Sequence, residues 1–485
     1  MHNIGSRREP FWDDFLIDRS RTSAEFRIHQ PISKEIALVA DSPWEGDGCI
    51  YGTIIKEKDF VRLYYTGCTI LGGHVGMFIC YAESRDGISF AKPPLGVRPF
   101  GQSYDTNIIL GPQDGQFDNF APFKDTNPEC PPDERYKAMA GKFGEENKRL
   151  ELWCYTSPDG INWKQAFLIS NRNGSFDTLN CAFWDENRKK YICYIRNLHC
   201  YDEKNGRRLD YDDSIGKMDV NLFIRDIRCM ASTDFKNWSE PEPLDFGNGI
   251  DYPLYTNCAQ VYERAPQIYI GFPTRYVERT EWTKNVDSLP GLERRKARAK
   301  VHPRYGLATT DCLFMSSRDG GKWFRHDEAI IRPGMEREFN WVYGDCYPAA
   351  GMVETKSDLP YAPDELSMYM FEKHWSGEPS LLRRMTVRKD GFVSMHAGYA
   401  EKKVVTGELL FEGDKMELNF STSAPGYIYV KIKTQQKEVC SCELYGDSLD
   451  RIVPFEGELA QFSGLPVTVE FTMCDADIFS MRFFK

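Results

Sequence analysis

One short string recurs through the chain. SRDGISF runs from Ser84 to Phe90, SPDGINW from Ser157 to Trp163, STDFKNW from Ser232 to Trp238 and SRDGGKW from Ser317 to Trp323, and a fainter copy, RKDGFVS, runs from Arg388 to Ser394. Their aspartates (Asp86, Asp159, Asp234, Asp319 and Asp390) are spaced by 73, 75, 85 and 71 residues. Self-similarity at a near-constant period marks a repeated supersecondary unit, and this period is longer than that of the common helical repeats. Between the copies lie runs such as FVRLYYTG, RYKAMAGKF, KKYICYIR and QIYIGFPTRY, rich in β-branched and aromatic residues and bounded by turn formers. About four such strands fit each period, which describes a propeller blade.

The motif has a structural reading. Ser and Asp side chains accept from backbone N–H groups in a tight turn, and Gly takes the positive φ the turn needs. The aromatic four residues after the Asp is placed to pack between neighbouring blades. The turn thus joins a blade's outer strands and carries no chemistry. Five copies predict an all-β chain with a five-bladed β-propeller, and FWDDFLID (Phe11 to Asp18) is a candidate for the strand that closes the ring. After Asp390 the pattern changes to alternating strands with one buried face. This predicts a propeller over 1–397 and a small C-terminal β-sandwich over 398–485, with a boundary near Gly398.

A net charge of -11 argues against a nucleic-acid or anionic-membrane surface. The one basic run, LERRKARAK (Leu292 to Lys300), reads as a solvated loop. No early apolar stretch resembles a secretory signal and no later window resembles a membrane span, and the 15 scattered cysteines suit buried thiols, so a cytoplasmic location is expected. Cysteine and histidine spacings give no zinc site, and no cofactor is expected. A homo-oligomer is left open.

Chemistry in a propeller belongs where the innermost strands converge, about 15 to 35 residues after each turn motif. Acids stand there in every blade: Glu45 and Asp47 in SPWEGDGCIYG, Asp118 with Asn119 in FDNFAPFKD, Asp177 in FDTLNCAFWDE, Asp251 in IDYPLYTNCAQ, and Asp345 with Asn340, Trp341 and Tyr343 in FNWVYGDCYPAAG. Carboxylates crowded round one cavity split their pKa values, which yields the acid and the base that glycoside hydrolysis requires. Trp44, Trp341 and Trp375 offer flat faces for a sugar ring, and Arg196, Arg228 and Arg275 offer donors for hydroxyls or a carboxylate. Glu372 in MFEKHW is a further candidate acid, whereas His374 reads as structural.

These features resemble the five-bladed propeller glycoside hydrolases, the clan containing families 32, 43, 62, 68 and 117. The strings FWDDFLID, GFPTRY, PRYGLATTDCLFMSSRDG, NWVYGDCYPAAG and LYGDSLDR resemble more narrowly a group of bacterial family-32-like proteins with a C-terminal sandwich. The resemblance implies an Asp on blade one as nucleophile or base, an Asp on blade two as stabiliser and a Glu on blade three as acid. Asp47 and Asp118 match the first two; blade three offers Asp177 in place of Glu, and the NDPNG and RDP strings of fructosidases are missing. The acid is Asp177 or comes from elsewhere, such as Glu372 or Asp345, and the resemblance to five-bladed glycosidases also allows an axial calcium. The expected activity is exo-hydrolysis of small oligosaccharides or glycosides. Two alternatives stay open: a glycoside phosphorylase using Arg275, Arg304 and His302, or a carbohydrate-binding propeller without catalysis. The sandwich is expected to be a structural partner of the propeller.

Overall fold

The computed structural model describes residues 1–69, 76–115, 117–144, 150–170, 174–202, 204, 206–211 and 223–485, with the Asp118 side chain outside the described set. It is all-β, with five blades of four or five strands each arranged as a propeller. Blade 1 comprises Ile50–Lys56, Val61–Gly67, Phe78–Ser84 and Ile108–Leu110, and blade 2 comprises Phe117–Lys124, Tyr136–Phe143, Leu150–Ser157 and Lys164–Ser170. Blade 3 is built on Cys181–Asp185, Lys190–Tyr201 and Ile224–Ser232, and blade 4 on Gln260–Val261, Tyr269–Gly271 followed by Thr274–Val277, Thr309–Ser317 and Trp323–Ile331. Neighbouring innermost strands run parallel: in blades 1 and 5, Ile54 N–H donates to the Ala350 carbonyl at 2.7 Å and Ala350 N–H to Gly52 at 2.9 Å.

Blade 5 contains Val353–Thr355, Glu365–Glu372 and Ser380–Val387, and its outermost strand comes from the other end of the chain, Ile32–Ala40, paired from Ser380↔Ala40 to Thr386↔Ile32. The ring is therefore closed by the N-terminal region, but through this strand and not through Phe11 to Asp18. The latter segment is a seam: the Trp12 ring meets Tyr262, Phe314 and Phe392 at 4.9, 5.4 and 5.4 Å, while Phe11 joins the C-terminal core.

Each blade is buried on both faces, which is why its strands read as nearly continuous apolar runs. Alternate residues of one strand serve two interblade cores. Leu63 and Tyr65 pack towards Tyr369 and Leu382 of blade 5, while Tyr64 packs towards Ala138 and Tyr155 of blade 2. Ten of the fifteen cysteines are buried, and none forms a disulfide.

The recurrent turn sits between the third and fourth strands. In blade 2, Gly160 N–H donates to Ser157 Oγ at 2.9 Å, and Ile161 and Asn162 N–H both donate to Asp159 Oδ1 at 2.8 Å. Gly160 holds φ +76°. Its carbonyl accepts the hydroxyl of Tyr64 from blade 1 at 2.9 Å, and Trp163 packs on Tyr64 and Phe120. Tyr194 does the same for Gly320, and Tyr369 for Gly87. The turn thus stitches blade to blade. A Cβ at Gly160 would lie 2.6 Å from the Tyr64 hydroxyl, so Gly160→Ala is expected to cost about 1–2 kcal/mol in backbone strain alone. Urea denaturation measures it; an unchanged midpoint would contradict this role for the turn.

The fifth copy is out of frame. Strand three of blade 5 ends at Val387, where the other blades have Ser, so Asp390 occupies the glycine place and holds φ +61°. No fourth strand follows it. Instead the fully buried Asp390 carboxylate accepts from Tyr262 (2.7 Å), Arg264 (2.8 Å) and Ser480 (2.7 Å), with Arg8 at 3.5 Å. Burial alone would raise this carboxyl; Arg264, Arg8 and Tyr262 outweigh burial and hold it below the ordinary aspartate value.

The C-terminal sheet is consistent with a sandwich. Its long strands Lys415–Lys433 and Thr468–Phe484 pair along most of their length, around a core including Leu418, Val430, Phe471 and Met481. Val393–Ala397 pairs with the last strand, so the sheet begins ahead of Gly398. Three N-terminal strands also join this part: His2–Gly5 beside Leu409–Phe411, Arg8–Pro10 beside Ser480–Arg482, and Glu25–Ile28 beside Val393–His396. Among the described residues no helix is long and apolar enough to cross a membrane, and no group of three His, Cys, Asp or Glu is placed to hold a metal ion.

Candidate active site

The innermost strands all begin at one end of the propeller axis, and their lead-in segments carry tyrosines. Tyr255, Tyr276, Tyr343, Tyr347 and Trp375 form one buried cluster with Ile50, flanked by Tyr51 and Tyr305. Tyr255 and Tyr347 stack at 5.6 Å, Tyr343 and Trp375 stack at 5.4 Å, and Tyr305 meets Trp375 edge-on at 4.6 Å. Threonines fix these segments from below: Thr178 donates to the Tyr255 carbonyl at 2.8 Å, and Thr310 to that of Asp345 at 2.5 Å.

Asp177 stands at this floor with its side chain 42 % exposed. The Tyr255 hydroxyl lies 3.4 Å from its carboxylate, Tyr343 donates to Tyr255 at 3.1 Å, and Arg196 Nη2 is 3.4 Å from Asp177 Oδ2. Arg196 is itself buried: its guanidinium lies over the Tyr255 ring at 4.7 Å, and Nε donates to the Ser175 carbonyl at 2.9 Å. Burial would lower the Arg196 pKa, but Asp177 and Tyr255 more than offset it, and the group is held firmly cationic. Two further arginines cover the floor. Arg225 lies over Tyr276 and Tyr255 at 4.7 and 5.5 Å, and Arg304 over Tyr305 and Tyr343 at 5.2 and 5.5 Å. Burial raises the hydroxyl pKa values of Tyr343, Tyr347 and Tyr276, the last to about 12.

Arg304 comes from a helical insertion between two strands of blade 4. Its helices are α1 (Lys284–Ser288), α2 (Leu292–Val301) and α3 (Pro303–Leu307). Helix α2 is the basic run, and it is not a solvated loop. Arg295 and Arg298 are buried and donate to backbone carbonyls: Arg295 to Asn340 and Trp341, Arg298 to His374, Tyr305 and Tyr343. They tie the lead-in segment of blade 5 to the turn that carries Trp375. Burial and the neighbouring Arg295 lower the Arg298 pKa to about 10.

Of the candidates named from sequence, the structure assembles Asp177, Arg196, Arg304, Tyr343 and Trp375. Asp118 lies on the first strand of blade 2, with its side chain outside the described residues. The next residue, Asn119, is fully buried and donates to the Phe176 carbonyl at 2.6 Å, so residues 118 and 177 flank one interblade hydrogen bond. Asn119 is thus a bracket and does not face a ligand. Asp47 reaches the edge of the floor, where its carbonyl accepts from Trp375 N–H at 2.6 Å, but it is buried and its Oδ2 accepts Gly377 N–H at 2.9 Å.

The other candidates fall elsewhere. Trp44 packs on Phe100 and donates to Asn107. Glu45 is fully buried against Lys92, Tyr65 and Ser42 N–H. Arg228 is spent on Asp210 and Asp226, and Asp251 on His199 and Tyr201. Arg275 pairs with Asp311 at 2.6 Å in a surface groove that Trp341 also lines. Asn340 organises its own loop by donating to Pro333 and Met335. Asp345 accepts Trp341 N–H, and burial raises its pKa to about 7. Glu372 is held by Arg383 at 3.0 Å. Each of these polar groups found a partner close by, which a strand-start position does not reveal. His302 accepts Arg304 N–H through Nδ1 at 3.3 Å and is exposed.

Sequence reasoning missed Arg225, Tyr255, Tyr276, Tyr305 and Tyr347. For three of them a signal was available: tyrosines recur in YPLYTN and VYGDCYP, ahead of the inner strands of blades 4 and 5, and in the strand TRYV. It went unread because tyrosines also fill the interblade cores.

No protein-family model matches the chain, and no curated protein is a significant match. Comparison with solved structures finds proteins of the five-bladed propeller glycoside hydrolase type, without singling out a family. An N-acetylgalactosamine deacetylase from F. plautii, solved with blood group B trisaccharide, is similar at 10% identity and TM-score 0.43, over 74% of this chain and 94% of that one. A Bombyx mori family 32 beta-fructofuranosidase is similar at 9% identity and TM-score 0.40, over 95% and 94%. A structure from the family 130 mannoside phosphorylases, described as containing hydrolases of beta-1,2 mannosidic linkages in Candida mannan, is similar at 11% identity and TM-score 0.41, over 78% and 96%. These likenesses are too distant to assign residues or a reaction.

Proposed function

We propose that this chain is a glycoside hydrolase that removes a terminal sugar from a small oligosaccharide or glycoside at the axial tyrosine floor. The observation that carries the reading is Asp177, a half-exposed carboxylate among buried aromatic rings, paired with Arg196 and in reach of the Tyr255 hydroxyl. An arginine neighbour suits a carboxylate that works as an anion, either attacking the anomeric carbon or activating water. Asp118, which precedes Asn119 in the sequence, is the proposed second carboxyl of the pair. The tyrosine rings and Trp375 supply the apolar surface on which a sugar ring stacks.

The test is purified protein against a panel of fructosides, arabinofuranosides, galactosides, mannosides and uronic-acid glycosides, with and without phosphate, read by mass spectrometry. A released monosaccharide supports hydrolysis, a sugar phosphate formed only with phosphate replaces it with phosphorolysis, and no product from any arm counts against catalysis. Asp47 provides an internal comparison. Because Asn at position 47 still accepts Gly377 N–H, Asp47→Asn is expected to lower kcat by less than about 10-fold, well below the loss for an acid–base residue. A loss of about 10³-fold would return Asp47 to the centre of the chemistry.

A further inference from the structure

Most buried arginines in this chain are satisfied by the protein itself. Arg8, Arg228 and Arg384 pair with carboxylates, and Arg295 and Arg298 donate to backbone carbonyls. The half-buried Arg225 and Arg304 differ. Among the described residues neither side chain makes an ion pair, and Arg304 Nε is buried without a hydrogen-bond partner. Both guanidiniums act electrostatically on Tyr276, whose buried hydroxyl is also without a partner. The hydroxyl of Tyr347 and Nη1 of Arg196, a residue only 4 % exposed, are unpartnered too. Four polar groups around one tyrosine floor are thus left with hydrogen-bonding capacity inside the protein. Arg196, Arg225 and Arg304 stand over this floor with Asp177 beside Arg196 and Glu278 near Tyr276, so cations outnumber the carboxylates there in a chain whose net charge is -11. Buried donors without acceptors are costly, and a positive, aromatic-walled recess strengthens its field on an anion.

We propose that the axial site binds an anionic group through Arg225, Arg304 and the Tyr276 hydroxyl, with Arg196 turned to the same ligand by its free Nη1. The group is either a carboxylate on the sugar, which makes the substrate an acidic glycoside, or free phosphate. This rests on the axial site being the place where the glycoside binds, and it narrows the substrate class. Arginine suits either anion because its planar fork donates two parallel hydrogen bonds.

The experiment is an NMR titration of the full-length protein and of its Asp177→Asn variant with methyl galacturonide, methyl galactoside and inorganic phosphate. The expected result is that the galacturonide binds at least about 10-fold more tightly than the galactoside, the worth of one hydrogen bond to a charged group. Arg225→Met and Arg304→Met should each erase that preference, the galacturonide losing about 10-fold more affinity than the galactoside, and added salt should weaken the acidic probe. Arg225→Lys and Arg304→Lys, which keep the charge, guard against loss of folding. Phosphate binding that is lost in the same Met variants, with no preference between the sugars, supports the anion site and identifies phosphate as its ligand. Equal binding of both sugars together with no phosphate binding, or an acidic preference that survives both Met variants, overturns the proposal. Binding is read apart from turnover. Anion binding without any glycosidic product leaves this site standing and removes the hydrolase reading, whereas hydrolysis of neutral glycosides with no anion preference does the reverse.

Discussion

Asp177→Asn is expected to lower kcat on a responsive glycoside by about 10³-fold, within the range for loss of a positioned acid–base or nucleophilic group. KM should change far less, because the tyrosine floor and the arginines remain. The fold should survive, since the Asp177 side chain is 42 % exposed and Arg196 keeps its bonds to Ser175. Two readouts separate a catalytic role from a structural one. The thermal midpoint should stay near that of the wild type, and formate should restore part of the activity of Asp177→Ala by supplying a small carboxylate in the vacated space. Activity within a few-fold of wild type would remove Asp177 from the reaction.

Asp390→Ala is expected to be the most damaging single change to stability. Its carboxylate joins Arg264 and Tyr262 of the propeller to Arg8 and Ser480 of the C-terminal sheet, and it is fully buried. Removing one partner of a buried ion cluster leaves the others uncompensated and costs about 3–5 kcal/mol. The pH dependence has a definite sign. A carboxyl held below its ordinary value stabilises the fold fully above the unfolded pKa of roughly 4, and that contribution is lost as pH falls through the lower folded value. The gap between wild type and variant in urea denaturation should therefore be full near neutrality and close in acid. A gap below about 1 kcal/mol at neutral pH would show that the seam holds without this acid.

The features legible in the sequence were local ones. The Ser–Asp–Gly turn encodes its own hydrogen bonds within a few residues, so five copies revealed five blades. The alternating strands beyond Asp390 revealed a second sheet. What was hidden depends on partners far along the chain. Ile32–Ala40 closes blade 5 by pairing with residues more than three hundred positions away, and its composition does not distinguish it from Phe11 to Asp18. The arginines of α2 read as solvated because their acceptors, the carbonyls of Asn340, Trp341, Tyr343 and His374, lie on other segments. The same reason explains the site. An acid at a strand start was read as facing the axis, yet Glu45 is consumed by Lys92 and Glu372 by Arg383, and neither pairing is visible in sequence. Asp177 survived because its neighbours, Arg196 and Tyr255, leave it half open to solvent.

The most direct test of the axial site is where a sugar binds. The Asp177→Asn protein, crystallised with the oligosaccharide that the wild type cleaves, should hold a terminal ring against Tyr255, Tyr276 and Tyr343, with an oxygen of that sugar in hydrogen-bonding distance of residue 177. The account is contradicted if the sugar lies only in the cavity of about 410 Å³ at the opposite ends of the inner strands, between Ile54, Pro122 and Val261, or only in the outer groove beside Arg275.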